Sequence, residues 1–324
     1  MRSQLFDAFS EASATAVSID GLSPARSVVG RIADYISVGP GGEPLLLISC
    51  QGGPLQHRPP LGLQHLRVEY GVRYRVRAST EVIENVFTIV SLRGDGRDLF
   101  ESFCLAGEVL LGLLPKEPLV ADVDHVVNQL VEMLAALVLP SQRTVAGLWA
   151  ELWLISNAVE REAALAAWHS EPTDRFDFAF AGHFFEVKAT EGVERMHEFA
   201  YDQLRNTDRP ICIASLKLRR AQNGISISDL VDVIQSGLKP QLREKLVRNV
   251  FGAVGDAVSR ADEIRFDVDF AASNMRLVVA EHVPAVFIPS GSPISGVRFR
   301  VNFDDSSMVA FLQTRSPAVA LIFR

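Results

Sequence analysis

The sequence predicts an α/β (α+β) fold, and three observations predict it. Alternating and β-branched segments dominate the first third of the chain. Two segments with helical spacing follow, and then an aromatic hairpin that carries charges in its interior.

The strand-rich part runs to about residue 115. PLLLISC, HLRVEYGVRYRVRA and VFTIVSLRGDGRDLFESF have β-branched or alternating character, and the turn signals GPGGEP and GDG separate them. LVADVDHVVNQLVEMLAALVL, residues 119–139, then shows helical spacing and stops at Pro140. A second helix follows in SQRTVAGLWAELWLISNAVERE, where Val145, Leu148, Leu152, Ile155 and Val159 form one apolar stripe. At about 100° per residue, Glu151 lies roughly 80° from the centre of that stripe, at the border of the buried face. It either points into a cleft or is a helix-surface glutamate. Farther on, ICIASLKLRR reads as a strand, SDLVDVIQSGL and PQLREKLVRNVF as helices, and about 264–303 as a return to strands. The expected organisation is a strand-rich region over 1–118 for recognition or partner contact, a core over 119–222, and a mixed α/β region over 223–324.

Bulk composition narrows the function classes. The chain has 324 residues, enough to bury a large core, with 48% hydrophobic and 22% charged residues, as in soluble globular proteins. Its three cysteines are far apart and form no CxxC, which argues against a disulfide framework or a structural zinc and fits a reducing compartment. No apolar run approaches a spanning helix, and the first residues lack a continuous apolar segment, so a cytoplasmic location is expected. The net charge of −7 does not advertise a nucleic-acid binder. Between Gln203 and Arg248, however, nine basic residues stand against four acidic ones, a local excess of five. That is the footprint of an anion-binding surface or of solvated helix faces.

The hairpin FDFAFAGHFFEVKAT, residues 176–190, sets Asp177, Glu186 and Lys188 among aromatics. A two-residue turn at Gly182-His183 would pair Asp177 with Lys188, and one at Ala181-Gly182 would pair Asp177 with Glu186. Either register brings the three charges to one face, whereas a three-residue loop would put Asp177 on the other. Two carboxylates and an ammonium in apolar surroundings must pair with one another or hold a cation. Oxygen donors suit a hard divalent ion such as Mg²⁺, beside which Lys188 could orient a water; the other reading is a cross-strand salt bridge. Trp149, Trp153 and Trp168 read as packing residues.

Glu151 on a helix, Asp177 on a strand and Glu186-Val187-Lys188 on the next resemble the active-site order of the PD-(D/E)XK nuclease superfamily. The wider segment of GLWAELWLI, Trp168, FDFAFAGHFFEVKAT, Arg195-Met196-His197 and Gln203-Leu204 is similar to the bacterial PD-(D/E)XK motif proteins described with defence or restriction systems. The resemblance is clear over about 141–220, with a looser echo to about 303. It implies a restriction-endonuclease-like core with a mixed central sheet flanked by helices, and Mg²⁺-dependent hydrolysis of DNA, with Mn²⁺ able to substitute. It further implies Asp177 and Glu186 as metal ligands assisted by the Val187 carbonyl, Lys188 at the attacking water, and Glu151 as a further carboxylate that serves the metal or holds Lys188. Gln203 would lie near the site. Arg195 and His197 could face a phosphate backbone, extended by Lys217, Arg219 and Arg220, although His197 reads equally as an ordinary surface or half-buried histidine. Phe176 stands where the motif has Pro, a position of shape and not of ligation. Expected partners are double-stranded DNA, a second copy in a homodimer, and restriction or defence proteins such as an ATPase or methyltransferase. The alternative is a silent DNA- or partner-binding subunit that keeps the nuclease fold.

Overall fold

The computed structural model describes residues 3–15, 22–50, 61–62, 66–92, 94, 96–137, 139, 143–168, 175–180, 182–204, 209–255, 258–289 and 293–304. The chain divides into two compact units, 1–140 with 239–258 and 141–238 with 259–324. The first unit therefore takes in the helix after residue 119, where the sequence reading had begun the core.

In chain order, the first unit opens with α1 (Gln4–Ala14) and the strands β1 (Ser23–Ser27), β2 (Tyr35–Val38), β3 (Pro44–Ile48), β4 (Leu61–Gly62), β5 (Leu66–Ala78) and β6 (Glu81–Leu92). Helices α2 (Arg97–Leu111) and α3 (Val120–Ala136) follow. The sheet order is β1-β2-β3-β6-β5-β4, and β1 also pairs in parallel with β5, so the sheet closes on itself. Ala25, Tyr35, Leu47, Val76, Phe87 and Ile89 fill its interior. The alternation of β5 explains this. Val72, Tyr74, Val76 and Ala78 point inward and Arg73, Arg75 and Arg77 point out. Strand β6 ends at Leu92, and the run expected to continue it through RDLFESF is instead α2. Nine of the ten residues from Ser102 to Leu111 are buried, so α2 is covered around its circumference over its second half.

The second unit carries α4 (Val145–Ser156), α5 (Arg161–Ala167), β7 (Phe178–Phe180), β8 (His183–Thr190), β9 (Met196–Ala200), α6 (Tyr201–Leu204), β10 (Ile211–Lys217), β11 (Arg220–Ile225) and α7 (Ile227–Gln235). Helix α8 (Pro240–Val254) returns to the first unit and packs on α2 and α3. The chain ends its described part with α9 (Val258–Glu263), α10 (Val268–Ser273), β12 (Met275–Val279) and β13 (Arg298–Asn302). A mixed four-stranded sheet in the order β12-β10-β8-β7 is the centre of this unit. β10 lies between parallel β8 and antiparallel β12, and a strand covered on both faces reads as a continuous apolar run, as ICIASLK does. One face meets the antiparallel β9–β13 pair through Phe184, Ile211, Ile213, Val278, Phe199, Val301 and Phe303.

Helix α4 packs on β8 and α7. Thr144 caps it, accepting the Gly147 N–H at 3.1 Å. Every residue from Leu148 to Ile155 is buried, so the helix is apolar around its whole circumference and not along one stripe. It stops at Ser156, which leaves Val159 exposed and outside the expected stripe. Trp149 donates its indole N–H to the Ile225 carbonyl at 2.9 Å and stacks on Trp153. The close approach of β11 to Phe266 requires Gly224, where a Cβ would meet the Phe266 carbonyl oxygen at 2.4 Å. Among the described residues no helix is long and apolar enough to cross a membrane.

Candidate active site

The β7–β8 hairpin decides the register that sequence left open. Phe178 pairs with Phe185, Ala179 with Phe184 and Phe180 with His183. That is the second of the two expected registers, and Gly182 within its turn takes φ +77°, a conformation that glycine adopts without steric cost. Continued by one residue, this register would set Asp177, just before β7, opposite Glu186. Its Oδ2 accepts the Val187 N–H at 2.6 Å, which ties the carboxylate to the edge of β8. The N–H and C=O of one residue in an antiparallel pair face the same neighbour, so the Val187 carbonyl is directed to that edge too.

Glu186 is buried, and the ammonium of Lys188 donates to its Oε1 at 2.7 Å. Lys188 also lies 5.3 Å over the Phe199 ring, which β9 brings across this face. Glu151 is only 4% exposed. Trp168 donates its indole N–H to Glu151 Oε2 at 2.7 Å, and the Arg143 guanidinium donates to Oε1. The same guanidinium nitrogen lies 3.6 Å from Asp177 Oδ1. Arg143, just before the cap of α4, thus links the helix carboxylate to the hairpin carboxylate. Nothing in the spacing of the chain singled it out. Trp168, read as packing, is packing and a hydrogen-bond donor at once. Phe176 stacks on Phe184 at 4.6 Å between centroids, a shape role. Among the described residues no group of three or more His, Cys, Asp or Glu converges to hold a metal ion.

The downstream residues divide. Arg195 is 1% exposed. It donates to the Ser215 carbonyl at 2.9 Å, Ser215 Oγ at 3.0 Å and the Asn274 carbonyl at 2.7 Å. Its Nε lies 3.5 Å from Asp304 Oδ1, and its backbone N–H donates to Asp304 Oδ2 at 3.0 Å. Burial, then the nearby Arg276 charge, lowers its pKa against the pull of Asp304. His197 is buried, with Nε2 2.7 Å from Ser215 Oγ, and burial followed by the Arg195 and Lys188 charges lowers its pKa to about 3. It is a neutral core histidine, and neither residue presents its side chain to solvent in this structure. Burial pushes the Asp304 carboxyl up, but the Arg195 N–H and the Arg195, Arg276 and Lys217 charges outweigh it and hold the group below its ordinary value.

Lys217 donates to the Val193 carbonyl at 2.5 Å, Arg219 to Asp267 at 2.5 Å, and Arg220 to both oxygens of Glu191 at 2.6 and 3.2 Å. These three remain near the surface, each with an internal acceptor. Gln203 lies on α6, and its side chain is outside the described residues. Sequence reading missed Ser215 and Asp304. Ser215 is a lone hydroxyl in an apolar strand, in register with Lys188 on β8, which is a usable signal. Asp304 is 109 positions from Arg195, and no local pattern announces it.

A family model described as "Putative PD-(D/E)XK family member, (DUF4420)" matches residues 30–302. No curated protein and no solved structure matches the chain. The matched span takes in both units, the hairpin and the helix of Glu151, and it exceeds half of the chain by a wide margin: the chain belongs to this PD-(D/E)XK family.

Proposed function

We propose that the chain is a metal-dependent phosphodiesterase that cuts DNA, in a bacterial defence or restriction setting. The observation that carries this reading is the hairpin, where Asp177 accepts the N–H of Val187, the residue between Glu186 and Lys188, in a chain of this family. The donors are all oxygen, two carboxylates and a peptide carbonyl, and Mg²⁺ commonly uses only one or two protein carboxylates and keeps several waters. The set therefore fits Mg²⁺, or Mn²⁺ in its place, held by Asp177, Glu186 and the Val187 carbonyl. Such an ion, when bound, polarises a phosphoryl oxygen and lowers the pKa of a bound water.

The chain's own residues do the rest. Lys188, fixed by Glu186 and the Phe199 face, holds a proton-donating ammonium where it can orient a water and offset charge that develops on phosphorus. Glu151, held by Trp168, positions Arg143, and Arg143 reaches Asp177. In a homodimer two such centres would serve the two strands of a duplex.

A second reading is favoured by the same ion pairs. Arg143 with Glu151 and Asp177, and Lys188 with Glu186, neutralise the site from within, as a silent DNA- or partner-binding subunit would. The test is cleavage of plasmid, linear and single-stranded DNA with Mg²⁺, Mn²⁺ or EDTA, comparing the wild type with Lys188→Ala. Cutting that needs metal and vanishes in the variant is expected. DNA binding without cutting under any of these metals would sink the enzyme reading and leave the subunit.

A further inference from the structure

We infer that the outer face of the β5–β6 ribbon in the first unit is a docking surface for the phosphate backbone of duplex DNA. Arg73, Arg75 and Arg77 alternate along β5 on the side away from the sheet's interior, where Tyr74 and Val76 lie. Arg73 and Arg75 are 77% and 59% exposed. The residues opposite them on β6 are Val86, Glu84 and Val82, so the ribbon sets one acid across from the three arginines. Glu84 is shared between two of them, 3.6 Å from Arg73 and 3.5 Å from Arg75. Half-exposed Glu84 cannot neutralise both. In a chain of net charge −7 this face is a local reversal of sign.

The surroundings explain why the face is open. Helix α1 packs on β1 and β2, and α2 packs on β3, so the outer side of the sheet is covered there. Leu46, Ile48, Thr88 and Val90 are accordingly buried. At the far end of the β5–β6 ribbon, Val82 and Val86 are left 50% and 41% exposed between the arginines. At about 3.3 Å per residue, Arg73 to Arg77 spans roughly 13 Å, comparable to the rise of about four nucleotides of one DNA strand. Arginine is the side chain whose planar fork suits phosphate oxygens, and the valines between are suited to sugar faces. The basic face selects a polyanion on its own. That the polyanion is duplex DNA rests on the reading given under Proposed function.

The experiment measures binding of the full chain to a labelled duplex in EDTA, so that cutting plays no part, across about 50 to 200 mM salt. Compared with the wild type, the double variant Arg73→Gln/Arg75→Gln is expected to lower the slope of log affinity against log salt by about 2, and to weaken binding about tenfold at low salt. Glu84→Gln should act in the opposite direction and tighten binding a few-fold, which no loss of folded structure could mimic. Slopes and affinities unchanged in both variants would overturn the proposal, as would a wild type that binds no duplex at low salt. Tight anisotropy responses to anionic vesicles or acidic protein but not to duplex would overturn it too. Cleavage by the wild type in Mg²⁺ is scored separately, so a failed nuclease reading and a failed docking surface give different results.

Discussion

Replacing Arg195 with Met would remove the guanidinium that joins β9, β10 and β12. Three hydrogen bonds go with it, to the Ser215 carbonyl, Ser215 Oγ and the Asn274 carbonyl, as does the ion pair with Asp304. Hydrogen bonds from a charged donor contribute about 1.5–3 kcal/mol each, which sets an upper bound near 9 kcal/mol. Methionine refills most of the volume, and Ser215 Oγ keeps His197 as a partner, so the loss should fall at the 3–5 kcal/mol typical of a broken buried pair. Arg195→Lys keeps the charge but loses the fork and should fall between the variant and the wild type. The chain's three tryptophans, Trp149, Trp153 and Trp168, all belong to the second unit, so urea unfolding followed by tryptophan fluorescence reports on that unit alone. A loss below about 1 kcal/mol would refute the structural role. An unchanged unfolding curve combined with weakened DNA binding would mean that the guanidinium serves phosphate instead.

Two further outcomes are expected. His197 has a folded-state pKa depressed to about 3 against an ordinary value near 6.5, so its contribution to stability is intact above about pH 6.5 and falls as the pH drops towards 3. The slope should approach 1.4 kcal/mol per pH unit, and His197→Gln should flatten it in denaturation curves taken between pH 6 and 4; a slope identical in both proteins would contradict the neutral buried state. Arg143→Gln should raise Mn²⁺ affinity several-fold in an electron-resonance titration, because the guanidinium beside Glu151 and Asp177 competes with any added cation. Weaker Mn²⁺ binding would show that Arg143 instead orders the carboxylates for the ion.

Much of the site was legible in the chain because it is local. Asp177 and Glu186 lie within ten residues, and the alternation of one hairpin fixes which side chains share a face, leaving only the turn to choose between two registers. Glu151 was placed by helical periodicity at a border, but that periodicity underestimated its burial. The tryptophans at 149 and 153 extend the apolar surface beyond a stripe, and Trp168 closes over the carboxylate from outside the helix. The misreading at 97–103 has a similar origin, since a short run rich in Phe, Leu and Ser has strand-like content and only its continuation to Leu111 reveals the helix. The basic residues near 195–220 were visible as charges, but their partners were not. Arg195 meets Asn274 and Asp304, and Arg219 meets Asp267, contacts that link positions too distant for any local pattern.

Helix α8 has a consequence for how this chain is made. It belongs with α2 and α3, yet the whole stretch 141–238 is translated before it. At about 5–20 residues per second, the nascent first unit would wait roughly 5–20 s with the apolar sides of α2 and α3 lacking their last neighbour. Neither unit is one continuous stretch of sequence, so a gene cut at residue 140 yields a fragment with an uncovered seam. The first unit is better expressed alone with 239–258 spliced on by a flexible linker than as a simple truncation.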